Sequence, residues 1–492
     1  MSYSYHERLS AMDASILEIE RPNAHTHVGS IAIFDAGPLT TEHGGIDFDR
    51  IQAFTSAALR RNVRFQQKII RVPGLGHPVW IDDDAFNLNY HVRHSCLPAP
   101  GDIRRLKRLA GRIMSQKLDY GKPLWELWFV EGIEEGRFAV ISKIHHCLAE
   151  GIAGVGLLST LLGSDPNHEP KRVGTWIPRP ASPPHRLVLD EIARRAALPV
   201  KALRAAGHVL TGPRQGLDLA RRALRGLNQA ATTGLKSASE TPFKAALGPH
   251  RRLDWLRFDL DAAREVKTRL GGELDDVVLA TVAGTVRRFL QGRGIRPEDL
   301  EFQVIAPVNL RGDAESGELA HRVSTLLTRL PIDEPDPRKR VQRVAETTQA
   351  LKSSGQGQGA EALAQIADWT FNGLAAQLAQ LGLWSRAANL VVANVTGPEM
   401  PIYMLGAPLL EFYPIVPLMS DQALSIALFS CSGGLHWGFN SDWDALPDLH
   451  AFVEALRVEF EELQKAAAAT TPISAAKPRK KASRKRRQSE TA

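Results

Sequence analysis

The chain has 492 residues, with 61 Lys plus Arg against 54 Asp plus Glu and a formal net charge of +7 at pH 7. That length exceeds what one hydrophobic core serves, so two domains of roughly 150 to 220 residues are expected. From Lys477 to the end there are eight basic residues and one acidic residue, so the tail alone carries the whole +7 and the neutral body is not patterned for nucleic acid.

An apolar content of 43% is ordinary for a globular protein. No run of about 18 uncharged apolar residues is present, so no transmembrane helix is expected, and Met1-Ser-Tyr-Ser-Tyr5 does not open a signal peptide. Cys96, Cys147 and Cys431 are odd in number and lack metal-like spacing, which fits reduced thiols in a cytoplasm. The Lys/Arg/Ser/Pro-rich tail from Pro472 to Ala492 reads as disordered, either a solvated solubility tail or a contact for an anionic membrane surface or nucleic acid.

In chain order, Met12 to Glu18 opens a folded domain, Val28–Phe34 reads as its first strand, and Asp47–Arg61 has helical spacing. Turn signals at Pro73–Gly76 precede a strand at Trp80, and Phe86–His94 follows as an apolar-polar stretch. Arg104–Leu118 is a basic amphipathic helix with a core stripe. Glu126–Val130 is a strand that hairpins through Glu134-Glu-Gly136 onto Phe138–Ile144. Asp165–Pro184 is a proline-rich linker, and His185–Leu210 and Arg214–Leu235 are helix-like stretches with basic faces, suited to an anionic bilayer or to an interdomain helical pair.

The second half starts near Leu247. Trp255–Leu260 is a strand, Asp261 caps a helix to Leu270, and Asp275 and Asp276 open another to Leu290. Strands follow at Phe302–Pro307, Val323–Leu330 and Asn389–Val395, with apolar helices up to about Leu383. Ala423–Phe429 and Leu435–Phe439 pair across Ser432-Gly433-Gly434, and Asp448–Lys465 closes the chain. The expected fold class is α/β (α+β), divided as 1–164, a linker and basic helices at 165–246, 247–468, and a tail at 469–492.

The stretch His145-His-Cys-Leu-Ala-Glu-Gly151 stands where a strand ends and an apolar helical run begins. Strand alternation sends His145 and His146 to opposite faces, so one can enter a cleft while the other is held in the scaffold. An imidazole titrates near neutrality and suits a general base. Glu150 would orient or anchor the loop and Gly151 would permit a sharp turn. Alone, the dipeptide reads more readily as two structural or surface histidines than as a catalytic pair.

Other chemistries lack their motifs: there is no Gly-x-Ser-x-Gly elbow, no Walker-type phosphate loop and no dinucleotide fingerprint. His25/His27 and His91/His94 have no partners at ligand spacing, so no metal site is expected.

Met12-Asp-Ala-Ser15, Pro123-Leu-Trp125, His145 to Gly151, Pro307-Val-Asn-Leu-Arg311 and Asn394-Val-Thr-Gly-Pro398 occur in this order, with Gly433–Asp442 as a C-terminal hairpin. In these motifs the chain resembles the bacterial wax ester synthase/acyl-CoA:diacylglycerol acyltransferase family over nearly its whole length. The resemblance implies two chloramphenicol-acetyltransferase-like domains in pseudo-repeat around a tunnel, with acyl-CoA entering from one side and a hydroxyl acceptor from the other. It implies His146 as general base, His145 in support, no covalent intermediate and oxyanion stabilisation from the second domain. Acyl-CoA is expected as substrate with no further cofactor, and contacts to it near Asn394 and Asp276.

The expected reaction is acylation of diacylglycerol to triacylglycerol, of a fatty alcohol to a wax ester, or of both. The expected location is cytoplasmic, peripheral on the inner face of the plasma membrane or on lipid inclusions. Three positions depart from the family pattern: Glu150 stands for Asp, Asp275 for Asn and Thr396 for Pro. A weakly active or non-catalytic lipid-binding paralogue is the alternative that Glu150 and Asp275 motivate, and an acyltransferase dependent on a carrier protein is a third reading.

Overall fold

Among the described residues, runs rich in β-branched and aromatic side chains pair into two six-stranded mixed sheets and one small three-stranded sheet. They are seen in a computed structural model that describes residues 5–148, 156–167, 176–211, 238–309, 323–353, 387–419 and 421–470. The strands begin with β1 (Glu7–Arg8), β2 (His27–Asp35), β3 (Gln67–Arg71), β4 (Pro78–Asp82), β5 (Val92–Cys96), β6 (Trp125–Ile133) and β7 (Arg137–His145). They continue as β8 (Arg251–Asp259), β9 (Gln303–Asn309), β10 (Val323–Arg329), β11 (Leu390–Thr396), β12 (Tyr403–Met404), β13 (Ala407–Ile415), β14 (Leu424–Cys431) and β15 (Gly434–Asp442). The first large sheet runs β12-β13-β2-β7-β6-β5, the second β10-β9-β11-β14-β15-β8, and the small one β1-β4-β3.

The helices are α1 (Ala11–Ile19), α2 (Phe48–Leu59), α3 (Leu88–His91), α4 (Ile103–Ser115), α5 (Gly156–Ser159), α6 (Pro184–Thr211), α7 (Leu260–Leu270), α8 (Leu274–Gln291), α9 (Pro337–Ser353) and α10 (Leu449–Ala468). Every residue of β7 after Arg137 is buried. Both faces of β7 are covered, which explains its unbroken apolar run. Val140 and Ile144 join the core that holds Phe54 and Trp125, whereas Ala139 and Ile141 pack with Leu106, Ala110 and Ile113 of α4. On that second face Lys143, fully buried, donates to the carbonyls of Ile113 and Gln116 and so caps the C-terminus of α4. Burial lowers its ammonium to about 8.

The hairpin of β6 and β7 forms as its sequence indicates, with Glu135 at φ 64° in the turn. Phe86–His94 divides into α3 and β5. Two caps differ from expectation. Asp259, not Asp261, caps α7 by accepting from the Ala262 N–H, and Glu273 stands before α8 in a capping box completed by Asp276. The stretch 214–235, the helices expected up to Leu383 and the tail from Pro472 lie outside the described residues.

β13 has no counterpart among the strands read from the sequence. Although it falls within 247–468, it pairs antiparallel with β2 of the first sheet, Phe412 opposite Ala32. It also packs on β14 and β15, so closely that a Cβ on Gly438 would collide with the Pro414 carbonyl oxygen. β13, with the short β12 paired to its outer edge, therefore belongs to the first sheet by hydrogen bonding and to the second half by chain connection.

α8, α9 and α10 layer on one face of the second sheet around a buried ion pair, Arg340 to Glu459 at 2.8 Å. Glu459 also accepts from Arg288 Nε at 2.8 Å, and the remaining Arg340 nitrogens reach the carbonyls of Glu334 and Pro335. Among the described residues, no helix is long and apolar enough to cross a membrane.

Candidate active site

The site is assembled at the end of β7. β2 runs beside it in the register His27 opposite His145, so the Asn23–His27 segment reaches the same end of the sheet. The Leu124 carbonyl accepts the His145 N–H at 2.9 Å and the Thr26 carbonyl accepts the His146 N–H at 2.9 Å. Leu124 is held by its neighbour: Trp125 is fully buried and donates through its indole to the Phe65 carbonyl at 2.7 Å. The Pro123-Leu-Trp125 motif thus fixes the backbone of the histidine pair.

The two histidines have opposite environments. His145 is fully buried. Its Nδ1 accepts from the Cys147 N–H at 3.2 Å and lies 3.0 Å from the Cys147 thiol. That assigns the ring proton to Nε2. Nε2 faces Glu20 Oε1 at 3.2 Å and Thr26 Oγ1 at 2.9 Å, with the Tyr120 hydroxyl at 3.3 Å. His146 starts a short 3₁₀ turn, Cys147 and Leu148 being buried and its own side chain exposed. Desolvation, and then the nearby His145, lowers the His146 pKa below the ordinary histidine value.

Glu20 is the residue that sequence reasoning missed. It is the C-cap of α1, where a carboxylate opposes the helix dipole, so local propensity gives no reason for it. Burial raises its carboxyl, but hydrogen bonds from His145, Tyr120 and Thr26 outweigh that and hold it far below the usual range. α1 itself is set by Ser10, which accepts from the Asp13 N–H and donates to its carboxylate at 2.6 Å. The Met12-Asp-Ala-Ser15 motif thus builds the helix that delivers Glu20. The available signal was this spacing, Glu20 directly after the motif helix and Thr26 directly before β2.

Burial lowers the pKa of the neighbouring His25, His27 and His91. His25 and His27 stack at 5.2 Å, and His27 meets His145 edge to face at 6.0 Å. Among the described residues neither ring nitrogen of the buried His27 has a hydrogen-bond partner, and burial pushes its pKa well down. His91 stacks on Trp125, and His94 lies 3.2 Å from Glu131. Among the described residues no group of three or more His, Cys, Asp or Glu is placed to hold a metal ion.

Glu150 and Gly151 lie outside the described residues. Asn394 donates to Asp275 at 2.6 Å, tying the start of α8 to β11. Asp276 accepts from the Glu273 N–H and from the Thr348 hydroxyl. Their hydrogen bonds therefore go within the second half and not to His145 or His146. Gly397 is required where it stands, since a Cβ there would collide with the Ser430 carbonyl oxygen. Phe429 belongs to the apolar cluster that also holds Cys147 and Leu148, and Val395 packs against that cluster.

The buried neutral histidines predict acid lability. Burial holds His77 and His436 at about 4, whereas an unfolded imidazole takes its proton near 6.5. Between those values the unfolded chain binds more protons, so stability falls as pH drops from about 6.5 toward 4. Glu20 acts in the same direction at lower pH, because its stabilisation is lost as its depressed carboxyl protonates. Thermal midpoints should fall progressively from pH 7 to pH 5, and an unchanged midpoint would refute this account.

This arrangement of two mixed sheets is a fold shared with solved condensation domains and with a solved wax ester synthase/diacylglycerol acyltransferase. The first condensation domain of the calcium-dependent antibiotic synthetase superimposes with a TM-score of 0.54 at 17% identity, covering 95% of this chain and 98% of that one. The wax ester synthase/diacylglycerol acyltransferase from Marinobacter aquaeolei VT8 does so with a TM-score of 0.64 at 24% identity, covering 94% of this chain and 100% of that one.

The chain belongs to the wax ester synthase/diacylglycerol acyltransferase family: residues 9–278 match its catalytic domain and 321–464 its C-terminal domain. A Mycobacterium tuberculosis protein that carries the name of a probable diacylglycerol O-acyltransferase, tgs1, is 30% identical over 459 residues, 89% of this chain and 92% of that protein. A second, tgs2, is 30% identical over 466 residues, 92% of this chain and 98% of that protein. The family is one of acyl-CoA-dependent acyltransferases.

Proposed function

We propose that this protein transfers a long-chain acyl group from acyl-CoA to a diacylglycerol or fatty-alcohol hydroxyl, with His146 as general base. The observation that carries the reading is the division of labour at the end of β7: His145 is locked by Glu20, Thr26 and Cys147, while the His146 side chain is exposed and its pKa lies below the ordinary histidine value. A neutral imidazole takes the acceptor proton as the hydroxyl oxygen attacks the thioester carbonyl. The tetrahedral intermediate then collapses, the C–S bond breaks, and the imidazolium returns the proton to the CoA thiolate.

No acyl-enzyme is needed. Cys147 is the nearest thiol, but it is 2% exposed and burial raises its pKa well above the ordinary value, which suppresses the nucleophilic thiolate. An apolar groove of about 310 Å³ between Leu162, Met400, Ile402, Phe412 and Phe429 is suited to an alkyl chain. Exposed Leu189 and Ile192 on α6 offer a contact for a lipid surface.

The test is release of CoA from radiolabelled palmitoyl-CoA with diolein in anionic vesicles, hexadecanol or no acceptor. Acceptor-dependent formation of triacylglycerol or wax ester is the expected result. A purified protein that acylates neither acceptor would favour the non-catalytic paralogue, and activity only with an acyl carrier protein would favour the third reading.

A further inference from the structure

We propose that the groove between α4 and β8 binds the 3′-phospho-ADP end of acyl-CoA, with Arg104, Arg108 and Arg112 on its phosphates and Trp443 against its adenine. This rests on the acyl-CoA reading above and adds the place where the nucleotide is held.

The groove encloses about 950 Å³. One wall is the polar face of α4, where Arg104, Arg108 and Arg112 recur every four residues and so project in one row. All three are exposed. Arg105, the neighbour on the other side, is already bonded to Asp102 and the Pro98 carbonyl. The facing wall is the start of β8, with Arg251 and Arg252. Asp254 is the acid in the lining, and it is already engaged by Lys107 and by His450 at 3.0 Å. Among the described residues, the row on α4 therefore has no carboxylate in the groove to neutralise it. Guanidinium groups in such a concavity focus positive potential and match phosphate oxygens with paired donors.

A second observation points to a flat ring beside those phosphates. Trp443 stands in the lining with 42% of its surface exposed, unusual for a large aromatic. The Arg252 guanidinium covers it at 3.8 Å, and Arg252 Nε, though buried, has no hydrogen-bond partner among the described residues. An indole with an arginine against it is a stacking platform for a nucleobase.

The groove is also connected to the histidine pair. Gly111 lets α4 lie close on β8, where a Cβ would come 3.0 Å from the Arg251 carbonyl oxygen. At that end Ser115 accepts from the Arg251 N–H at 2.8 Å, and Arg251 donates to the Asn23 carbonyl, in the segment that leads to His25 and β2. Lys143, two residues before His145, caps α4 at the same end. A pantetheine arm leaving the groove beside Ser115 thus heads toward the end of β7.

Calorimetric titration with adenosine 3′,5′-bisphosphate should show binding to the full chain, lost in Arg108→Glu/Arg112→Glu and weakened about tenfold or more in Trp443→Ala. In turnover, the double variant should raise KM for palmitoyl-CoA by about 10² while leaving palmitoyl-N-acetylcysteamine, which has no nucleotide, unaffected. Equal losses on both thioesters, or bisphosphate binding unchanged in the variant, would overturn the proposal. Binding of phosphatidylglycerol vesicles but not of the bisphosphate would also overturn it, in favour of a lipid headgroup. Because the titration needs no acyl transfer, its outcome is separate from that of the catalytic reading.

Discussion

Replacing His146 by alanine is expected to lower kcat by about 10² to 10⁴ while leaving the folded protein intact. The magnitude is that of a lost general base. The intact fold follows from position, because the His146 side chain is exposed and, among the described residues, its backbone N–H donates to the Thr26 carbonyl. His145→Ala should behave differently: it removes one of the partners of the buried Glu20 carboxylate and should lower stability as well as rate. Cys147→Ala should retain turnover, since the thiol is buried and protonated. Steady-state release of CoA together with circular dichroism separates the three. Wild-type rates in His146→Ala would remove His146 from the mechanism.

The largest effect on stability is expected at Glu459. Its removal as Glu459→Ala leaves Arg340, 2% exposed, with a buried charge lacking its carboxylate, at a cost of about 3–5 kcal/mol. Glu462→Ala is the matched control. It deletes the other carboxylate on Arg288, where both side chains are 41% exposed, and should cost about 1 kcal/mol or less. Urea midpoints followed by tryptophan fluorescence should show the contrast. Equal midpoints would mean that Arg340 is satisfied by the Glu334 and Pro335 carbonyls alone.

The parts of the fold that were legible in the sequence are those set by local chemistry. The β6–β7 hairpin follows from two apolar runs around Glu134-Glu-Gly136, and the β14–β15 hairpin from Ser432-Gly433-Gly434, where Ser432 and Gly433 both take positive φ. α4 followed from its stripe of Leu106, Ala110 and Ile113. What stayed hidden depended on partners far along the chain. Glu20 is meaningless without His145, 125 residues later, and Tyr120 is legible only as a half-buried tyrosine until Glu20 is beside it. His25 and His27 were visible only as a doublet without ligand partners, and their role beside His145 needs the register of β2 on β7. β13 was missed because Pro408 and Pro414 interrupt it as a strand signal and its partner is remote.

That strand has a consequence for how the chain is made. Phe34 of β2 pairs with Leu409, 375 positions later. At synthesis rates of about 5 to 20 residues per second, β2 emerges from the ribosome roughly 20 to 75 s before β13 exists. For that interval the strand carrying His27 presents an open hydrogen-bonding edge with an apolar face, the kind of surface that recruits another nascent chain. Protection of this edge by a chaperone, or slow production of the enzyme at low temperature, should therefore govern the yield of soluble protein.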